Sequence, residues 1–144
     1  MGKHGSIDMV YVENEWYDGP RAGVADINGV PHRFKSLFDE EADQYLGTFL
    51  VWPIEQRVLD QETEQWRIFV EWNASYEAGE ATTESHPAHG GLSARWDELE
   101  VLLRQSRTEV PSSAKRANAE LHRIDGESRY AASGPAYTLT WHLL

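Results

Sequence analysis

The stretch Gly23–Lys35, GVADINGVPHRFK, decides how this chain is read. Asn28-Gly29 lies between two β-like runs, and a type I′ turn needs positive φ at both central residues, which Asn and Gly tolerate. The spacing therefore predicts a two-residue hairpin. Loop length then sets the register: Ile27 faces Val30, Ala25 faces His32 and Gly23 faces Phe34, all six on one side of the sheet. Val24, Asp26, Arg33 and Lys35 take the other side. Pro31 falls at a non-hydrogen-bonded position. It suits an edge strand or a bulge, because its ring leaves no N–H for a further strand.

Outward from the hairpin, Met9–Tyr17 is rich in β-branched and aromatic residues and reads as a strand that Asp18-Gly19-Pro20 ends. Another strand is expected near 45–52. The period then changes. Arg57, Asp60, Glu64, Arg67, Glu71 and Ser75 recur every three or four residues as a narrow polar ridge. Val58, Leu59, Trp66, Ile68, Phe69, Val70, Trp72 and Tyr76 surround it. This pattern predicts a helix near 54–78 buried on most sides, with Glu64–Arg67 and Arg67–Glu71 as surface pairs. After the broken loop GEATTESHPAHGGL, Ser93 caps a second helix, 93–106, that turns Trp96, Leu99, Leu102 and Leu103 inward. Two-residue alternation resumes at 116–122 and again from Tyr137 to Leu143. The expectation is one α+β domain over 1–144, an antiparallel sheet of five or six strands. Two main helices, about 54–78 and 93–106, are inserted between N-terminal and C-terminal strands and cover one face. The 20–37 hairpin is placed toward one edge, and residues 1–7 are expected to be disordered.

Charge narrows the function classes. The chain carries 24 acidic against 13 basic residues, a net charge of −11. Residues 1–109 hold 21 of the acids and 9 of the bases, so the negative charge precedes the C-terminal strands. Such a surface repels phosphate backbones and anionic lipids, so neither nucleic acid nor a membrane is an expected partner; a basic protein fits. The absence of cysteine excludes disulfides, Cys-ligated zinc and a Cys nucleophile. The apolar run at 48–54 is far short of the ~20 residues of a membrane-spanning helix. The N-terminus lacks the apolar region of a signal peptide, so a cytoplasmic location is expected.

The string Tyr17-Asp18-Gly19-Pro20-Arg21, with Gly23, Ala25, Gly29, Pro31-His32 and Phe34, is followed by Trp66, Trp72, Ser85-His86-Pro87 and Trp141. Together these resemble small bacterial proteins of unknown function. The resemblance implies a soluble bacterial protein and attaches no activity or cofactor to it.

Five residues stand out as site candidates: His32 and Asp18 for catalysis, and Arg21, Tyr17 and His86 for ligand binding. The register sets His32 beside Ala25 and Gly23, where small residues leave room that a ligand or a helix side chain must fill. Its unperturbed pKa of about 6.5 suits proton transfer near neutrality; the bland alternative is a satisfied core histidine. Asp18 and Arg21 flank a turn. Read locally, Asp18 accepts a backbone N–H, and Arg21 pairs with Asp18 or Glu15. Read functionally, Arg21 is a planar anion clamp beside Tyr17. Glu13 and Glu15 share a strand face about 7 Å apart, a spacing open to two catalytic carboxylates and equally common on solvated faces. His86 and His89 have metal-like spacing but no third ligand in sequence, so no metal is expected. No cofactor is expected either, because there is no phosphate-cradling Gly loop, G-x-S-x-G or H-E-x-x-H. The favoured function is a non-catalytic binding or regulatory module, monomer or homodimer, whose acidic, aromatic-edged surface recognises a basic protein partner. The alternative is a small enzyme or ligand-binding protein that holds a small anionic molecule on Arg21, with His32 as general base.

Overall fold

In the computed structural model, which describes residues 7–126 and 128–144, four strands precede the helices. They are β1 (Ile7–Trp16), β2 (Pro20–Ile27), β3 (Val30–Asp39) and β4 (Gln44–Pro53). Two helices follow, α1 (Gln56–Glu77) and α2 (Ala94–Thr108), then β5 (Lys115–Arg123), the short pair β6 (Tyr130–Ala131) and β7 (Gly134–Pro135), and β8 (Tyr137–Leu143). The expected disorder of 1–7 lies outside the described residues except at Ile7, which begins β1. No helix among the described residues is long and apolar enough to cross a membrane.

Asn28 and Gly29 take φ of 53° and 79°, as a type I′ turn requires. The β2–β3 ladder follows: Ile27↔Val30, Ala25↔His32, Gly23↔Phe34. The sheet is antiparallel and its main strands number six, but it is not open. It runs β1-β2-β3-β4-β5-β8 and closes into a barrel, because β8 pairs with β5 along its length and with β1 at Ile7↔Thr140 to Met9↔Thr138. Closure corrects the placement of the 20–37 hairpin at an edge, since β2 and β3 are each paired on both sides. Pro31 is tolerated there for a geometric reason. Its carbonyl accepts from Ile54 N (3.1 Å) just beyond the end of β4. Its imide nitrogen faces the same side, where the ladder is ending and little is lost.

The barrel interior is filled by one side of each strand, with Val10, Ala25, Ile27, Phe34, Phe49, Val51, Ala117, Tyr137, Leu139 and Trp141 forming one buried cluster. Phe34, Phe49 and Trp141 meet as a ring triangle at 5.6–5.8 Å, tilted and edge-on as the ring quadrupoles favour. Glycine at 23 makes this possible. A Cβ there would lie 2.2 Å from the Val12 carbonyl oxygen and 2.8 Å from Phe34 Cζ. The room beside Gly23 is therefore taken by the ring of Phe34, not by a ligand or a helix.

β1 carries two bulges. Val10 pairs with Ala25 and Val12 with Val24, leaving Tyr11 extra; Glu13 pairs with Gly23 and Glu15 with Ala22, leaving Asn14 extra. Each bulge reverses the alternation. Val10 thus faces the interior while Val12 and Val24 pack outward against Leu59 and Trp66 of α1. Glu13 turns inward to the Tyr137 hydroxyl while Glu15 is exposed, so these two acids do not share a face.

The helices lie on the outer wall of β1–β3. Ser93 caps α2 as expected, accepting from Trp96 N at 3.2 Å. Three expectations are corrected. The fully buried stripe of α1 is narrow and half polar, Leu59, Glu62, Gln65 and Trp66, while Ile68, Val70 and Trp72 are half-buried and Tyr76 is exposed. On α2, Leu99 and Leu103 are buried, but Leu102 is exposed. Glu64 reaches across to Arg95 Nη2 of α2 (2.7 Å) and makes no ion pair with Arg67.

Gly23→Ala is expected to destabilise the fold by about 2–3 kcal/mol, because backbone and a core ring must both shift. Urea denaturation checks this, and an unchanged midpoint would contradict the close approach.

Candidate functional site

The polar half of the α1 stripe explains how helices and barrel are joined. Arg33 lies on the outer face of β3, opposite Val24, and its Nη1 sits 2.8 Å from Glu62 Oε2 with both side chains almost fully buried. Arg107 of α2 grips the same carboxylate, with Nη2 2.7 Å from Oε1 and Nε 3.0 Å from Oε2. The remaining donors are used as well. Arg33 donates to Ser106 Oγ (3.2 and 2.9 Å), and Arg107 to Gln65 Oε1 (2.6 Å) and Glu100 Oε1 (3.0 Å). Burial opposes ionisation of Glu62, but the hydrogen bonds and charges of Arg107 and Arg33 outweigh it and hold the carboxyl below its usual range.

Two clefts open beside this cluster and share Asn14, Glu15 and Arg107 as lining. The larger, about 540 Å³, lies between the bulged end of β1 and the helices. Its walls are aromatic: Trp66, Phe69 and Tyr130 pack against one another, tilted or edge to face, at 4.8–5.8 Å, with Trp16, His86 and Trp96 among the other lining residues. Trp66 is fixed by its Nε1–H donating to Ala131 O at 2.7 Å, which ties α1 to the β6–β7 excursion. Burial, then the neighbouring His89, lowers the His86 pKa and favours its neutral form. Of the charged groups in this cleft, Glu13 is already held by Arg129 Nη2 (2.8 Å) and Tyr137 Oη (2.8 Å). Burial and that adjacent carboxylate push the Tyr137 pKa up, so it stays a phenol. Arg107 is bound to Glu62 and Glu100. Among the described residues that leaves the exposed Glu15 without an ion-pair partner; Glu100, paired with Arg107, is half-exposed.

The smaller cleft, about 380 Å³, is lined by Arg21, Arg33, Lys35 and Arg107 with Glu15, Ser36, Phe38 and Tyr45 among its other residues. Arg21 is the best-placed of the sequence candidates. It reads neither as a partner of Asp18 Oδ nor of Glu15: Nε donates to Tyr17 O (2.7 Å), Nη2 to Asp18 O (3.0 Å), and the guanidinium stacks on Tyr45 at 3.9 Å. Asp18 takes a left-handed φ of 54°, and it is its carbonyl that serves Arg21. Tyr17 is 68% exposed and contributes its carbonyl too, its ring lying 6.2 Å from that of Tyr45.

The five candidates do not converge. His32 is half-buried at the barrel end, with Nδ1 2.7 Å from Val30 O, and it lines neither cleft. His86 lies in the larger cleft and Arg21 in the smaller. Within the loop, His86 Nδ1 accepts from Ala88 N at 3.0 Å and His89 Nε2 lies 2.9 Å from Thr83 O, so a ring nitrogen of each is occupied by backbone. Sequence reasoning missed Glu62, Arg107, Trp96 and Tyr130. For Glu62 there was a signal: 59, 62 and 66 fall on one helical stripe, so a charge on that stripe had to meet an opposite charge.

Comparison with known proteins gives no match: no protein-family model, no curated protein and no solved structure corresponds to this chain.

Removing the central carboxylate leaves two arginines facing each other with only the half-exposed Glu100, on Arg107, as counter-charge. Glu62→Gln is expected to cost about 3–5 kcal/mol. The sign of its pH dependence follows from the lowered pKa: the contribution is complete above 4.5, the ordinary value, and is lost as pH falls below it. The stability gap between wild type and E62Q should therefore be constant near neutrality and narrow under acid. A gap independent of pH would contradict the assigned ion pairs.

Proposed function

We propose that this chain is a non-catalytic binding module that recognises a basic segment of a partner protein in the larger cleft. One observation carries the reading: a cleft of about 540 Å³ walled by Trp16, Trp66, Phe69, Trp96 and Tyr130, in which, among the described residues, the exposed carboxylate of Glu15 has no cationic partner while the half-exposed Glu100 is paired with Arg107. Aromatic faces and carboxylates both attract Lys and Arg side chains, the rings through their quadrupoles. The net charge of −11 adds a long-range field that speeds encounter with a basic partner. Trp66 and Phe69 are held by packing and a backbone hydrogen bond, so little side-chain freedom is lost when a ligand enters. The two acids nearest one another on β1, Glu13 and Glu15, point to different faces, which speaks against a carboxylate pair working together.

The test uses fluorescein-labelled oligolysine and oligoarginine, with oligoglutamate as control. Anisotropy should report capture of the basic peptides, weakening as salt rises, because exposed charges are screened beyond about 8–10 Å at physiological salt. Trp96→Ala and Glu15→Gln should each weaken capture by roughly threefold or more. Exchanging Glu40 and Glu41, which lie in the β3–β4 turn outside the cleft, for Gln should leave it nearly unchanged. Capture insensitive to salt, or one that depends on Glu40 and Glu41 as strongly as on the cleft, would overturn the reading.

A further inference from the structure

In a chain of net charge −11, the smaller cleft is lined by four cations and a single carboxylate, Glu15. Two of those cations are committed: Arg33 and Arg107 are neutralised by Glu62 and Glu100. The other two are not. Among the described residues no carboxylate lies within ion-pair distance of Arg21 or Lys35, and their backbones are neighbours through the pairing of Ala22 with Lys35.

Arg21 is held by neutral groups alone. Two carbonyls take Nε and one side of Nη2, and the Tyr45 ring supports the plane. Nη1 has only Ser36 Oγ, at 3.5 Å, the far limit of a hydrogen bond. The result is a full positive charge fixed in position, with N–H groups still to be used. A planar guanidinium offers parallel donors that match a carboxylate or phosphate, and fixing it beforehand reduces the entropy lost on binding. Lys35 is exposed and adds an ammonium; Ser36 adds a hydroxyl. Beside them Phe38 and Tyr45 pack edge to face at 4.8 Å, an apolar wall for the body of a ligand.

We infer that this cleft is a binding site for a small organic anion, a phosphate or carboxylate on a flat apolar body, with Arg21, Lys35 and Ser36 as donors and Phe38 and Tyr45 as the wall. Its volume, about 380 Å³, suits a small molecule. The site does not rest on recognition of a basic partner, and one shared residue separates the two. Glu15 repels an anion and attracts a cation, so its removal must act on them in opposite directions.

The experiment is a titration of ¹⁵N-labelled protein with phenyl phosphate and, separately, with benzoate, ionic strength being held constant with sodium chloride. Saturable amide shifts concentrated at 20–22 and 35–36 are expected for at least one of the two, and their comparison identifies the anion preferred. Lys35→Glu, at an exposed position whose melting curve should match wild type, should weaken binding about tenfold. Arg21→Gln should do the same, and Glu15→Gln should strengthen it. Absence of saturation with both probes, shifts centred elsewhere, or affinity indifferent to Lys35→Glu would overturn the assignment.

Discussion

One carboxylate holds the two layers of this molecule together. Glu62 comes from α1, Arg107 from α2 and Arg33 from the wall of the barrel, so a single acid joins three elements. The apolar seam between α1 and the barrel centres on Val12 and Val24 against Leu59 and Trp66, with Tyr11, Ile54, Phe69 and Val70 packed around them. Buried ion pairs generally contribute little net stability, because desolvation consumes most of the Coulomb gain. Their value lies in geometry. An apolar seam permits sliding, whereas a carboxylate gripped by two guanidinium groups has one satisfying arrangement. That arrangement fixes the width of the gap between β1 and the helices, and both clefts are bounded by it.

How much of this was legible in the sequence depends on what each signal encodes. Asn28-Gly29 encodes a local conformation, so the β2–β3 register followed from it without tertiary information. Ser93 as a cap was equally local. Closure was not legible. Alternation along β1 and β8 says that each strand has two faces, not that their ends meet, and the Pro31 signal pointed to an edge, whereas β4 pairs along β3 and ends just where the proline sits. The bulges at Tyr11 and Asn14 were silent too, since neither carries the Gly or Pro that marks many irregular strands. That silence moved Glu13 to the other face from Glu15.

The site was legible only in pieces. Arg21 was singled out as a group flanking a turn, but its partners are backbone carbonyls, which no side-chain spacing reveals. His32 was given its side of the hairpin by the register, yet depth along a barrel is not a matter of side, and at the rim the ring is only half-buried. The aromatic cleft draws Trp16 from β1, Trp66 and Phe69 from α1, Trp96 from α2 and Tyr130 from the β6–β7 excursion. No window of the sequence contains that combination, and only the folded chain assembles it.

The place of the helices in the chain has a further consequence. β4 and β5 are direct neighbours, paired from Thr48↔Asn118 to Val51↔Lys115, so everything between them leaves the barrel and returns to nearly the same point. The entropic cost of such an excursion rises only logarithmically, about 0.6 kcal/mol for each doubling of length. A change in the length of the arm would therefore add little to the entropic cost of barrel closure, while changing the outer wall of both clefts at once. The cost falls on kinetics, because β5 must find β4 across the whole arm, and contacts so distant in sequence form slowly.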